Sequence, residues 1–483
     1  MRPIDDIEVI GTFGEQLRIM QSDRLGGLQR FVDEGRDVGR FAFLFGDVLL
    51  VNTPAMVHEV LVTRARTFAK SPVLRGALHP LVGEGLFTSE GELWRRQRKL
   101  MAPLFHQANV MGFAADMTSA AERAAATWRD GEVIDDARET TRITMAVAGA
   151  TLFGADTFSE SDELGEALGE ALAWAGEQSS SLTLIAQARA SIGLELLADR
   201  LPPRPGAVAR RLAERAIVPI LWPGERTRRL RGALDVLERR VARMIAERRS
   251  GGPARRDLLS LLLDARDDDG APMSDRQVRD EILTLFVAGH ETTANALAWS
   301  LMLLAQHPET YARVRDEALA LDGPPTAVDA ARLPLALQVF KESMRLYPPV
   351  FMFGRVATTD TQIGEHQVPK GTVVLLAPYA LHRRPDVWPD PARFDPARFT
   401  PEAESARHRS AYLPFSAGPR TCIGLHFALL EGPLVLASLL RRADFALVDP
   451  RGAVPEPVAT LRPRGGLPMR LRLRAPTPVA AAS

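Results

Sequence analysis

Cysteine is almost absent from this chain: its 483 residues contain one, Cys422. That excludes an intrachain disulfide framework and any zinc or iron-sulfur site built from several thiolates, leaving a free thiol or a single ligand. Net charge is missing too. Sixty basic residues balance sixty acidic ones, so no global positive field is available to hold a nucleic acid or an anionic membrane. No apolar run approaches the roughly 20 residues of a membrane span. The first residues, Met1-Arg2-Pro3-Ile4-Asp5-Asp6-Ile7-Glu8, lack the apolar stretch of a signal peptide or anchor. The expectation is a soluble, cytoplasmic protein without a membrane anchor. Repeats and long linkers are absent as well. A prior of about 150 residues per domain suggests three domains, but the breaks at Pro202-Pro203-Arg204-Pro205-Gly206, Trp222-Pro223-Gly224 and Ser250-Gly251-Gly252-Pro253 are short, and helical pattern resumes after each.

What is present is an ordinary globular composition, 46% apolar and 25% charged, with mostly helical periodicity. Amphipathic runs cover Met111 to Trp128, Ser161 to Ser179, Thr227 to Arg249 and Pro308 to Leu321. Strand signal is confined to Phe41 to Val51, a hairpin with Gly46-Asp47 as its turn pair, and to Thr372 to Leu376 after Pro369-Lys370-Gly371. This predicts a mainly α protein: a large helical body with small β-sheets and a β-rich region. The small, proline-containing stretch 475–483 is expected to be a disordered tail.

Ser274, with Gln277 three residues on, has the form of a capping box and opens a run that meets no proline before Pro308. About 33 residues of helix are roughly 50 Å long, enough to cross the protein. Its middle, Ala288-Gly289-His290-Glu291-Thr292-Thr293, places a glycine and two β-branched residues where helix propensity prefers Ala or Leu. Thr292 can donate to the carbonyl of Ala288 and open the helix locally. Taken alone, a tolerated bend explains the segment equally well. It is not a zinc-protease HExxH, because Ala294 stands where the second histidine belongs. Asp267-Asp268-Asp269-Gly270 fails as a calcium loop, with Ala265 and Arg276 at required ligand positions. Gly83-Glu84-Gly85 lacks the third glycine of a dinucleotide fingerprint.

Cys422 lies in Phe415-Ser416-Ala417-Gly418-Pro419-Arg420-Thr421-Cys422-Ile423-Gly424, just ahead of the helical run Leu425 to Arg442. A thiol at the positive end of a helix dipole, with Arg420 nearby, is expected to favour the thiolate. A buried structural cysteine is the bland alternative. The stretch resembles the cysteine loop of the cytochrome P450 family, FxxGxRxCxG, at every fixed position. Three further segments resemble the same family in the same order. They are Ala288-Gly289-His290-Glu291-Thr292-Thr293 for [AG]Gx[DE]T[TS], Glu342-Ser343-Met344-Arg345 for ExxR before Tyr347-Pro348-Pro349, and Phe394-Asp395-Pro396-Ala397-Arg398-Phe399 for FxPxRF.

The resemblance implies a P450 fold in one domain over residues 1–474, with haem b (Fe-protoporphyrin IX) as cofactor. Cys422 is then the iron ligand, flanked by Phe415 and Gly424. Thr292 and Glu291 deliver protons for dioxygen cleavage, and Ala288 and Gly289 leave room beside the haem. Trp94 and Arg98, matching WxxxR, join Arg355 and Arg420 as propionate contacts; for each arginine a solvated surface role is the alternative. Glu342, Arg345 and Arg398 form a buried network that fixes the cysteine loop. Gly432-Pro433 departs from the family pattern, and Pro433 is expected to kink its helix.

By family position a lipophilic substrate (terpenoid, steroid or fatty acid) is lined by Val73, Leu74, Leu78, Leu81, Phe87, Leu285, Ala288, Phe351, Met352 and Phe353; Arg75 is expected at the surface, with pairing to a substrate carboxylate as the alternative. The chain acts as a monomer on such a small molecule and dioxygen. Electrons come from NAD(P)H through a separate ferredoxin or flavodoxin and its reductase, docking near Arg95, Arg96 and Lys99; a plain solvated face is the alternative. Two other classes stand beside this reading: a peroxide-driven or isomerising haem-thiolate enzyme, and a non-catalytic haem protein. Neither needs the pair Glu291-Thr292.

Overall fold

The computed structural model describes residues 2–43, 46–153, 161–250 and 257–474. Its axis is a 32-residue helix, Asp275–Gln306. The Ser274 side chain accepts from the Gln277 backbone N–H, and the Gln277 side chain accepts from Ser274 N–H at 3.0 Å, so two of the unpaired donors at that end are satisfied reciprocally. The helix ends at His307 because Pro308 opens the next one, Pro308–Leu319, as its first residue. Labelled along the chain, the elements that build the site are α1 (Pro72–Val82), α2 (Gly91–Met101), α3 (Asp136–Phe153), the central helix α4, α5 (Pro334–Leu346) and α6 (Leu425–Arg442).

Helices α3, α5 and α6 and the helix Glu225–Arg249 all pack against α4. From Thr293 to Leu304 that helix is buried on every side, with Trp299, Leu297 and Leu301 without accessible surface. At ~25 cal/mol per Å² of apolar surface, such burial is the main term holding the helical body together. The helix through Pro433 continues from Leu425 to Arg442, so the proline does not end it.

The second layer is a five-stranded sheet. Its strands are β1 (Val38–Phe43), β2 (Gly46–Val51), β3 (Phe68–Lys70), β4 (Phe353–Ala357) and β5 (Val373–Leu376), ordered β1-β2-β5-β4-β3. Strands β2 and β5 run parallel and the other neighbours antiparallel. The hairpin expected over Phe41 to Val51 is present, but Gly46 and Asp47 pair with Phe43 and Ala42 inside the ladder. Gly46-Asp47 is therefore not the turn pair; residues 44 and 45 lie outside the described residues. A second small ladder, β6 (Pro455–Pro457) with β7 (Leu461–Pro463), rests on α4 through the Trp299 indole, which donates to Leu461 O at 3.0 Å.

Boundaries moved in two further places. Met111–Phe113 is a 3-10 turn, and the α-helix proper is Ala114–Ala125. Pro203 opens the helix Pro203–Ile217 rather than a break, since its ring pre-sets φ and its missing N–H would be unpaired there anyway. The stretches 251–256 and 475–483 lie outside the described residues.

One buried titratable group tests this packing. His290 is enclosed in α4; its Nδ1 meets Phe286 O at 2.9 Å, while Thr144 Oγ1 of α3 donates to His290 O at 2.9 Å. Burial lowers its pKa to about 4. The unfolded chain thus binds a proton near pH 6.5 that the folded chain refuses until about 4, so stability falls as pH drops through that window. We predict that His290→Asn removes about 3 kcal/mol of the acid-side loss, seen as melting curves of the two proteins converging between pH 6.5 and 4. Parallel curves would place His290 in solvent.

Candidate active site

The cysteine loop is shaped by backbone geometry before any side chain acts. Cys422 N–H donates to Phe415 O at 2.9 Å, closing the loop, and Thr421 Oγ1 donates to Gly418 O at 2.7 Å. Gly418 sits at φ +71°, and a Cβ there would lie 1.9 Å from the Leu61 carbonyl oxygen, so only glycine fits. Gly424 caps α6, and a Cβ on it would meet only the Cys422 sulfur, at 3.9 Å.

The Cys422 side chain keeps accessible surface, yet burial among protein atoms raises its pKa, opposed by the Gly424 N–H and by Arg98. Both hold for a thiol that lines an internal concavity. The expected bias toward thiolate is corrected here: desolvation outweighs the helix terminus. The cation facing the sulfur is Arg98, because Arg420 donates instead to Glu90 Oε2 at 2.5 Å.

Around that concavity positive charge is in excess. Arg98 lies on α2 four residues after Trp94, and Arg355 lies on β4, 7% exposed. Among the described residues neither has an acidic partner within ion-pair distance. Burial lowers the Arg355 pKa to about 10, with Arg420 contributing repulsion. The Arg420 guanidinium stands 5.2 Å from the Trp94 ring centre, and its Nη1 is buried without a hydrogen-bond partner. Lys70 adds a fourth cation, its Nζ donating to the Leu86 and Ser89 carbonyls at 2.9 and 2.7 Å and its pKa lowered by burial to about 7. Glu90 is the acid that bonds this group. An orphaned guanidinium donor and two unpaired arginines beside a sulfur fit a dianionic, metal-bearing group such as haem. Lys70 and Glu90 escaped the sequence reading. The available signal was that four of the sixty basic residues are lysines.

The middle of α4 also keeps accessible surface. Between fully buried flanks, Ala288, Gly289, Glu291 and Thr292 retain exposure, and a Cβ on Gly289 would meet nothing within 4 Å. Thr292 Oγ1 donates to Ala288 O at 2.7 Å. Burial raises the Glu291 pKa, while its Oε1 accepts from Thr460 Oγ1 at 2.9 Å. In the turn above, Thr293 bonds the Glu431 carboxyl of α6, whose pKa burial raises to about 8.

Glu342 and Arg345, three apart on α5, are both without solvent exposure. Arg345 Nε and Nη2 donate to the two Glu342 oxygens at 2.7 and 2.8 Å. Its remaining donors reach His382 O, Pro391 O and Arg393 O, while Asp395 N–H donates to Glu342 Oε1. Arg398 Nε lies 3.6 Å from Glu342 Oε1, and Arg398 Nη2 donates to Pro389 O. His382 relays the arrangement onward: its Nε2 accepts from Leu413 N–H at 2.9 Å, two residues before Phe415.

The proposed pocket residues divide. Val73, Leu74, Phe87, Ala288, Met352 and Phe353 keep accessible surface, Leu78 and Leu285 are nearly enclosed, and Leu81 and Phe351 are packed in closed clusters. Arg75 donates to Thr88 O at 2.7 Å and is half-buried. The basic patch is corrected: Arg95 is paired with Glu92, Arg96 with Asp267 at 2.6 Å and Lys99 with Asp268 at 2.5 Å, so the three cations are neutralised locally.

The crystal structure of the cytochrome P450DA haem domain superposes with a TM-score of 0.80 over 97% of this chain and 98% of that one, at 26% identity. Such a helical body around a cysteine loop is the architecture of a haem-thiolate oxygenase. Residues 10–186 and 212–466 match the family model for Cytochrome P450, and the chain belongs to that family. It is 32% identical over 428 residues to pentalenene oxygenase of Streptomyces avermitilis, covering 88% of this chain and 87% of that protein. It is 36% identical over 392 residues to cyclooctat-9-en-7-ol 5-monooxygenase of Streptomyces melanosporofaciens, covering 80% and 78%. The protein is thus an oxidoreductase of the monooxygenase type. Among the described residues, no helix is long and apolar enough to cross a membrane.

Removing Arg345 leaves a fully buried carboxylate without its cation and takes the side-chain donors from three carbonyls. We predict that Arg345→Ala costs roughly 3 to 5 kcal/mol and prevents recovery of haem-loaded protein. Haem content and melting temperature measure this, and wild-type values for both would show that the network is dispensable.

Proposed function

We propose that this protein is a haem b monooxygenase that inserts one atom of dioxygen into a lipophilic small molecule, with electrons from NAD(P)H through a separate ferredoxin or flavodoxin and its reductase in the cytoplasm. The single observation that supports it best is the accessible Cys422 thiol beside arginines that lack acid partners. When bound, haem would supply the iron chemistry that activates dioxygen, which a thiolate ligand such as Cys422 would promote.

The residues divide the remaining work. Cys422 would hold the iron as a thiolate, since a coordinated cation stabilises the anion and offsets the desolvation that raises its pKa. Arg98, Arg355, Arg420 and the Trp94 indole hold the two propionates. Thr292, whose hydroxyl proton rests on Ala288 O, turns it toward the reacting oxygen, and Glu291 replenishes it. Gly289 leaves space. The Glu342, Arg345 and Arg398 group holds the cysteine loop, and residues 1–474 act as one domain. Val73, Leu74, Phe87, Met352 and Phe353, with Leu78 and Leu285 behind them, offer the substrate apolar contact. The relatives named for pentalenene and cyclooctat-9-en-7-ol, an alkene and an alkenol by those names, support a hydrocarbon-rich, lipophilic substrate of the terpenoid, steroid or fatty-acid kind. Screening lipophilic compounds for the spectral change on loss of the iron-bound water tests the substrate class.

Cys422→Ser is predicted to abolish the strongly red-shifted ferrous carbon monoxide band and all oxygenation even where haem is retained, because serine supplies no thiolate. A serine protein that keeps band and turnover would remove Cys422 as the ligand.

Thr292→Ala separates the functional role from a structural one. Alanine is the better helix former by a few tenths of a kcal/mol, so stability, haem content and substrate binding should stay near wild type. NAD(P)H oxidation should continue while product per NAD(P)H falls about tenfold or more and hydrogen peroxide rises. Unchanged coupling, with product and peroxide measured together, would instead support a peroxide-driven enzyme.

A further inference from the structure

Glu291 is not bonded to its neighbour Thr292 in this structure. Its carboxyl is held by a residue 169 positions away, Thr460, in the turn between β6 and β7. Asn295, one helical turn beyond Glu291 on α4, donates its side-chain Nδ2 to Thr460 Oγ1 at 3.0 Å. An amide nitrogen can only donate. The Thr460 oxygen is therefore the acceptor of that bond, and its single proton is committed to Glu291 Oε1 at 2.9 Å. The three side chains form a directional chain in which each polar atom has one task.

The turn that carries Thr460 is itself pinned. Thr460 O accepts from Val458 N–H at 3.0 Å, and Leu461 N–H donates to Pro349 O at 2.9 Å. Leu461 O receives the indole N–H of the fully buried Trp299 at 3.0 Å. Glu291, Asn295 and Trp299 follow at four-residue intervals, so one stripe of the central helix grips this turn at three heights. Thr460 and Asn295 are each 7% exposed. The charged group facing Glu291 from β7 is Arg462, which is engaged by Glu456 at 3.0 Å; on the helix itself the adjacent His290 points to Phe286 O. The carboxyl thus has no cation in contact, and the Thr460 hydroxyl is the donor that holds it.

We propose that Thr460, oriented by Asn295, is a positioning residue that fixes the Glu291 carboxyl for proton delivery, an inference that rests on the role given to Glu291 above. Donation from Thr460 favours the charged carboxylate, and its removal favours the protonated acid. A merely structural threonine would alter neither.

The test uses the haem-loaded protein with Thr460→Val, Thr460→Ser, Glu291→Gln and the Thr460→Val/Glu291→Gln pair; Thr460→Ala replaces the valine variant if that does not load haem. Infrared spectra across pH, without turnover, follow the protonated-carboxyl band that Glu291→Gln deletes. Thr460→Val should move its midpoint to higher pH and Thr460→Ser should restore it. Product per NAD(P)H should fall about tenfold in Thr460→Val, the size of one hydrogen bond to a charged group, with a larger solvent isotope effect. The double variant should match Glu291→Gln alone. A band and coupling unmoved in Thr460→Val while Glu291→Gln is impaired would overturn the proposal, as would effects that multiply in the double variant. Wild-type coupling in Glu291→Gln would instead overturn the role of Glu291, and the positioning role with it.

Discussion

The enclosed ion pair Glu342–Arg345 ties down the irregular segment that leads into the cysteine loop. Neither side chain has solvent exposure, so every donor and acceptor must find a protein partner or the fold carries an uncompensated charge. That requirement is met from a distance. The carbonyls of His382, Pro391 and Arg393 and the N–H of Asp395 come from an irregular stretch with little regular hydrogen bonding of its own. His382 then passes the constraint to Leu413 and so to the loop. A buried pair of this kind is weak evidence for stability, since apolar residues of equal volume often serve as well. Its contribution here is specification: one arrangement of residues 382 to 413 satisfies it.

The thiol and the arginines beside it are displaced in the same sense by burial. The Cys422 pKa is raised and the Arg355 pKa lowered, so each is drawn toward its neutral form. A dianion with a metal cation reverses both tendencies together, which couples cofactor loading to local stability. Lys70 and Glu90 belong to the same balance, the lysine held by two carbonyls and the glutamate by Arg420.

What could be read in advance were the local signals. Ser274 with Gln277, Pro308 after the helix end, and the glycines and cysteine of residues 415–424 each act within a few positions of themselves. The features that escaped are pairings between distant segments. Arg420 reads as a cation beside Cys422 until Glu90, 330 positions earlier, is brought against it. Arg96 and Lys99 read as a patch until Asp267 and Asp268 fold over them. Thr460 carries no motif at all; its task is visible only where the β6–β7 turn meets the central helix. Proline misled in one place for a physical reason, because the ring that breaks a helix interior also suits its first turn, as at Pro203.

The approach of Gly418 to the Leu61 carbonyl has a consequence for recombination between related chains. Two backbones 357 residues apart in sequence meet where a single methyl group would overlap an oxygen. No side-chain adjustment can relieve such an overlap, so the path of the backbone near Leu61 and the path of the cysteine loop must be inherited as a matched set. A chimera that takes the two from different parents inherits a junction neither was selected for. Crossovers that keep both with one parent leave it intact.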